Sequence, residues 1–158
     1  MTGAADPVMP AWEVAARVAI GDVMARYVRC ADSGRSEELA ALFADDGVLR
    51  TDADEVRGRD AIAAFLETQK ASLAGGGRIR HHVSSVRVDL EDEGHAGAVS
   101  YFLALTAVGL DHWGTYRDRL ERVDGRWCFA ERSAHDEGSA PGSWAEGRRA
   151  GGSPGGLS

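Results

Sequence analysis

The stretch GTYRDRLERVDGRWCFAER, residues 114–132, decides the fold. Tyr116, Asp118 and Leu120 alternate with Thr115, Arg117 and Arg119, which is the two-residue period of a strand. Asp124-Gly125 then interrupts the alternation with a dipeptide suited to positive φ, a strong hairpin signal. Arg126–Ala134 returns as the partner strand. Upstream, Arg78–Leu90, Ala96–Leu110 and Trp113–Val123 extend the meander, with breaks at EDEGH and at a short Asp111-His112 connector.

Before the glycine triplet at 75–77 the period changes. Trp12–Asp32 carries Ala16, Ile20, Val23 and Tyr27 at steps of three and four, predicting a helix that stops at Gly34. Ser36 is placed as N-cap of a short helix over SEELAALFA, with Glu37 and Glu38 favourable at its start. GVLRT predicts a short strand, and residues 60–74 a third helix. Helices first and an antiparallel meander afterwards argue for an α+β domain. Long strands behind few helices must curl to cover them, which predicts a cone-shaped barrel of strongly curved, mostly antiparallel sheet closed by three N-terminal helices. The domain is expected over residues 12–136, between a flexible N-terminus (1–11) and a Gly/Ser/Pro-rich tail (137–158).

With 158 residues and 44% hydrophobic content, the chain can bury one core. Its net charge of −7 repels phosphate backbones, so no nucleic-acid partner is expected. No apolar run approaches the roughly 20 residues of a membrane span. The start MTGAADPVMPAWE lacks the pattern of a signal peptide, and Cys30 and Cys128 suit reduced thiols, so a cytoplasmic protein is expected. No HxH, HxxxH or CxxC spacing and no phosphate cradle after a strand occur, so neither metal nor cofactor is expected.

RIRHHVSSVRVDL, residues 78–90, puts two histidines side by side in a strand, where they must face opposite ways. Ile79, His81 and Val83 share one parity and Val86, Val88 and Leu90 the other. The switch predicts a bulge near Ser84-Ser85, which turns His81 and the later valines inward together. An inward histidine is either a satisfied core residue or an acid–base group.

The order of YVRCADSGRSEELAALFADDGVL, GRDAIAAFL, RHHVSSVRV and GTYRDRLERVDGRWCFAER resembles the SnoaL-like branch of the nuclear transport factor 2-like superfamily. That branch includes scytalone dehydratase and the bile-acid 7α-dehydratases, with ketosteroid isomerase more distant. The resemblance places the family's helix-end acid at Asp32, its tyrosine at Tyr27 and its catalytic histidine at His81. Tyr116 falls where scytalone dehydratase has an asparagine, and Arg132 falls on the arginine of the last strand. The second histidine of scytalone dehydratase has no counterpart in AVSYFLALT, where Tyr101 is the nearest polar residue.

These residues have a chemistry in common. A carboxylate fixes the tautomer of an imidazole and stabilises the imidazolium, leaving the other ring nitrogen to move a proton. A pocket phenol from Tyr27 or Tyr116 can stabilise an enolate. Arg132 could hold an anionic group, although a surface arginine paired with Glu131 or Asp118 is the plainer reading. Ile20, Val23, Phe65, Leu66, Val83, Val86, Tyr101, Leu103 and Leu105 are expected to line an apolar pocket. The expected activity is a cofactor-independent dehydratase acting on a hydrophobic cyclic or polyketide-like carbonyl compound. The same pocket also suits an isomerase, a cyclase or a non-catalytic binding module. The resemblance implies a homodimer through the outer face of the sheet.

Overall fold

The computed structural model describes residues 8–72 and 78–151. Helix α1 (Ala11–Ser33) buries Ala16, Ile20, Val23, Met24, Tyr27 and Cys30 along one stripe. It stops at Gly34, whose φ of 65° is left-handed. The Gly34 and Arg35 amides close the end by donating to the Ala31 and Cys30 carbonyls. Glycine suits this left-handed position, and a Cβ there would also press on the Lys70 side chain. Helix α2 (Ser36–Ala40) is shorter than expected, and its N-cap is Arg35 rather than Ser36. Strand β1 (Phe43–Arg50) therefore begins earlier, and β2 (Glu55–Arg57), too short to show a period, pairs with it. Helix α3 (Arg59–Ser72) follows, and the glycine triplet expected to stop it lies outside the described residues.

The meander is β3 (Arg80–Leu90), β4 (His95–Thr106), β5 (Gly109–Val123) and β6 (Arg126–Ser139). The six strands form one sheet in the order β2-β1-β6-β5-β4-β3, antiparallel except where β1 lies parallel to β6. Asp124 and Gly125 both have positive φ, 49° and 78°, and form the β5–β6 hairpin turn. Register shifts interrupt the pairing in β3–β4, β4–β5 and β5–β6. Each bulge adds local twist, and together they curl the sheet into a cone. Ile20, Phe43, Ile62 and Phe129 are 0% exposed inside it, where helices and sheet meet.

Two further expectations need correction. Asp111-His112 is not a connector, because β5 starts at Gly109 and carries both residues inside the strand. Residues from Gly138 are not a flexible tail as far as the structure describes them. Strand β6 runs to Ser139, and helix α4 (Trp144–Gly151) follows with Ser143 Oγ accepting from the Glu146 amide. Among the described residues, no helix is long and apolar enough to cross a membrane.

Candidate active site

His81 turns inward because β3 changes phase just beyond it. Ser84 pairs with Tyr101 and Arg87 with Val99, so Ser85 and Val86 together oppose one residue of β4. Ser85 takes φ 51° to accommodate this. Val83 and Val88 consequently both pack on the core, while His82 is exposed on the outer face. Val86, expected to line the pocket, falls within the bulge and is 46% exposed.

Asp32 comes to His81 from the C-terminal turn of α1. A carboxylate there faces the negative end of the helix dipole, at a cost of a few tenths to about 1 kcal/mol. Hydrogen bonds offset that cost. The His81 amide donates to both carboxylate oxygens at 3.2 Å, and His81 Nδ1 donates to Oδ1 at 2.7 Å. A carboxylate only accepts, so Nδ1 carries a proton, and whenever the ring is neutral the lone pair is on Nε2. The pair is only partly covered, with side-chain exposures of 16% and 11%.

A second pair stands beside it. His112 Nδ1 donates to Asp111 Oδ1 at 2.9 Å, and the His81 and His112 ring centroids are 6.1 Å apart. Leu110 pairs with Leu105 and His112 with Ala104, which leaves Asp111 as the bulged residue. Burial pulls the His112 pKa below its ordinary value, against the pull of Asp111 and Asp136. Burial also opposes ionisation of Asp111, but donors from His112 and from the Trp144 and Ala145 amides outweigh it and lower its pKa. The sequence reading missed this pair because it ended the strand at Trp113. The available signal was parity, since His112, Gly114, Tyr116, Asp118 and Leu120 occupy alternate positions. Gly114 has its own reason, because a Cβ there would collide with the His135 carbonyl of β6.

Phe102 links these histidines to the deeper residues. Its ring lies 6.4 Å from His81 and 5.8 Å from His112, and it stacks on Tyr116 at 4.5 Å. Tyr27 lies beyond, 6.1 Å from Tyr116, against Phe43 and Phe129. Burial raises both phenol pKa values, so both hydroxyls stay protonated.

Arg132 is neither a surface arginine nor open to an anion through its fork. It is 0% exposed, and its Nε and Nη2 donate to Asp118 at 2.8 and 2.7 Å. Its guanidinium carbon lies 4.1 Å from the Tyr27 ring centroid and 4.3 Å from those of Tyr116 and Phe129. Burial works against its charge, yet Asp118 more than offsets that and its pKa is raised.

The expected pocket wall is only partly inside. Val23 is buried, and Phe65, Leu66 and Val83 are partly buried against the core. Tyr101, Leu103 and Leu105 are 57%, 38% and 36% exposed on the outer face. The inward positions of β4 hold Ala96, Ala98, Ser100, Phe102 and Ala104. Small residues fit there because the aromatic rings and Arg132 fill the interior. Two open depressions of about 480 and 470 Å³ lie between α2 and α3 and between α1 and β3, and neither is lined by His81 or His112.

Comparison with known proteins agrees with this fold. The profile of the SnoaL-like domain matches residues 12–133. A structure from Novosphingobium aromaticivorans, provisionally assigned as a scytalone dehydratase, is 28% identical, with 84% of this chain and 91% of that chain covered and a TM-score of 0.73. A protein from Catenulispora acidiphila, solved in complex with S-DNPA, is 29% identical over 78% of this chain and 95% of that one, with a TM-score of 0.68. A protein of unknown function from Mycobacterium tuberculosis is 27% identical over 85% and 78%, with a TM-score of 0.73. No curated protein matches.

Proposed function

The chain belongs to the SnoaL-like family, and from that premise we propose that it is a cofactor-independent lyase that dehydrates a hydrophobic, cyclic or polyketide-like β-hydroxy ketone. One observation carries the reading. Two histidines with ring centroids 6.1 Å apart are each held at Nδ1 by their own carboxylate, which makes Nε2 of each ring the nitrogen that remains for chemistry.

His81, tethered by Asp32, removes the proton next to the carbonyl, and its electron pair moves to the carbonyl oxygen as an enolate. The Tyr116 hydroxyl is the donor assigned to that oxygen, because its ring stacks on Phe102 beside both histidines. Tyr27 is packed among Phe43, Phe129 and Arg132, so its part is to support Tyr116. The enolate then expels the β-hydroxyl, which takes the proton from His81 Nε2 and leaves as water. His112 stays neutral and accepts a hydrogen bond from that hydroxyl. Two imidazoliums so close would repel, and the nearness of His81 is among the effects that lower the His112 pKa. Likeness to a protein provisionally assigned as a scytalone dehydratase favours loss of water over isomerisation or cyclisation.

The test is turnover of a panel of cyclic β-hydroxy ketones followed by mass. Loss of one water in the wild type, with about 10²–10⁴-fold less in His81→Ala and Asp32→Asn, is expected. Unchanged turnover in both variants refutes the mechanism, and a product of unchanged mass identifies an isomerase or a cyclase instead.

We further propose a homodimer through the outer sheet face, where Tyr101, Leu103, Leu105 and Trp113 leave apolar surface exposed. Light scattering is expected to show a dimer that Tyr101→Arg dissociates. A monomeric wild type at micromolar concentration contradicts it.

A further inference from the structure

One carboxylate in this molecule serves two structures. Asp111 Oδ1 accepts from His112 Nδ1 at 2.9 Å and from the Ala145 amide at 3.2 Å, while Oδ2 accepts from the Trp144 amide at 2.9 Å. Its own carbonyl accepts from the Ala140 amide at 2.8 Å. Asp111 and Ala145 are both 0% exposed, and the Trp144 ring lies 6.0 Å from that of His112. Helix α4 already has Ser143 as its cap, so Asp111 takes amides of the first turn that the cap leaves over.

We infer that Asp111 is a positioning residue through which the docking of α4 holds His112 in its working orientation, so that the segment around residues 140–147 completes the site. The catalytic consequence rests on the role assigned to His112 above, whereas the coupling itself rests on geometry alone. A carboxylate in a strand bulge, fixed by two amides of a docked helix, offers His112 one acceptor in one place. When α4 leaves, that acceptor and the ring both gain freedom, and water reaches them.

The coupling has a signature that a purely structural aspartate lacks. The groups facing His112 are Asp111 on β5, Asp136 on β6, His81 on β3 and the Trp144 ring of α4. Undocking α4 relieves burial, the main cause of the lowered pKa, and moves His112 up toward about 6.5. Replacing Asp111 by asparagine also removes a negative charge that raises the pKa, an effect opposite in sign to the relief of burial. Both changes loosen α4, but only Ala145→Arg keeps the Asp111 charge, so His112 titrates lower in Asp111→Asn than in Ala145→Arg.

The experiment records histidine ring ¹⁵N spectra and amide exchange on the full chain, with Ala145→Arg and Asp111→Asn. In Ala145→Arg, the Trp144 and Ala145 amides are expected to exchange at least about tenfold faster, and His112 to lose its single tautomer and titrate nearer 6.5. In Asp111→Asn, the same amides exchange faster while His112 titrates below its position in Ala145→Arg. An unchanged His112 spectrum beside fast-exchanging α4 amides overturns the inference. So does an Asp111→Asn chain whose α4 amides stay protected, or an Ala145→Arg chain in which α4 stays docked. These spectra need no turnover. The expected shifts in a chain that converts no substrate leave the coupling standing and remove only the proposed reaction.

Discussion

Asp118→Asn tests whether the cone is packed shut where Arg132 lies. The substitution leaves a guanidinium at 0% exposure, among the Tyr27, Tyr116 and Phe129 rings, without its carboxylate. Breaking a buried pair from one side costs about 3–5 kcal/mol, because the remaining charge is left desolvated and uncompensated. In a domain of this size 1 kcal/mol moves Tm by roughly 2–4 °C, so Tm falls by roughly 6–20 °C. Urea denaturation should show a lower midpoint at an unchanged slope. The double variant Asp118→Leu with Arg132→Met removes both charges and is expected to recover most of the loss. A cost under about 1 kcal/mol for Asp118→Asn would mean that water reaches the guanidinium, and the argument for a filled interior would fail.

Asp32→Asn keeps a hydrogen-bonding group but loses the charge that fixes the His81 tautomer, so turnover should fall about 10²–10⁴-fold with the far-ultraviolet spectrum unchanged. Ser85 holds φ 51° in the bulge that aims His81, so Ser85→Val should cost about 1–2 kcal/mol in a thermal melt and Ser85→Gly little. A neutral valine would refute that backbone geometry. Because burial lowers the His112 pKa, the unfolded chain binds the extra proton below about 6.5. This contribution to stability is therefore complete above that pH and is lost as pH falls beneath it. Denaturation between pH 5 and 7 should show a flatter profile for His112→Asn than for the wild type, and parallel profiles would contradict the assignment.

Much of the fold was legible because its signals are local. The parity change in RHHVSSVRV reported the bulge and the inward His81, and Asp124-Gly125 reported the hairpin. In the second pair His112 shares the parity of Tyr116, Asp118 and Leu120, but Asp111 was hidden by another bulge. Asp111 adds a residue to β5, so Asp111 and His112 are both buried and the alternation fails where it was needed. The pocket wall was misassigned because large apolar residues were taken to face inward. On β4 they face outward, since rings from β5, β6 and α1 leave the inner face room mainly for Ala96, Ala98, Ser100 and Ala104. Asp118 and Arg132 were visible as a possible pair, but their full burial depends on Tyr27, Tyr116 and Phe129 from three separate elements. The helix after Ser143 was obscured by its glycines and is secured by Asp111, more than thirty residues away in sequence.

The most direct test of the two-histidine chemistry follows deuterium entering the carbon next to the carbonyl of a cyclic β-hydroxy ketone in D₂O, by NMR, alongside the elimination product. The wild type should catalyse both processes. His81→Asn should lose both by at least about 10²-fold, because no base remains to take the proton. His112→Asn should keep the exchange and lose the elimination, because the hydroxyl is no longer held for His81. Deuterium exchange that persists in His81→Asn at the wild-type rate would show that another group removes the proton, and the account of the site would be wrong.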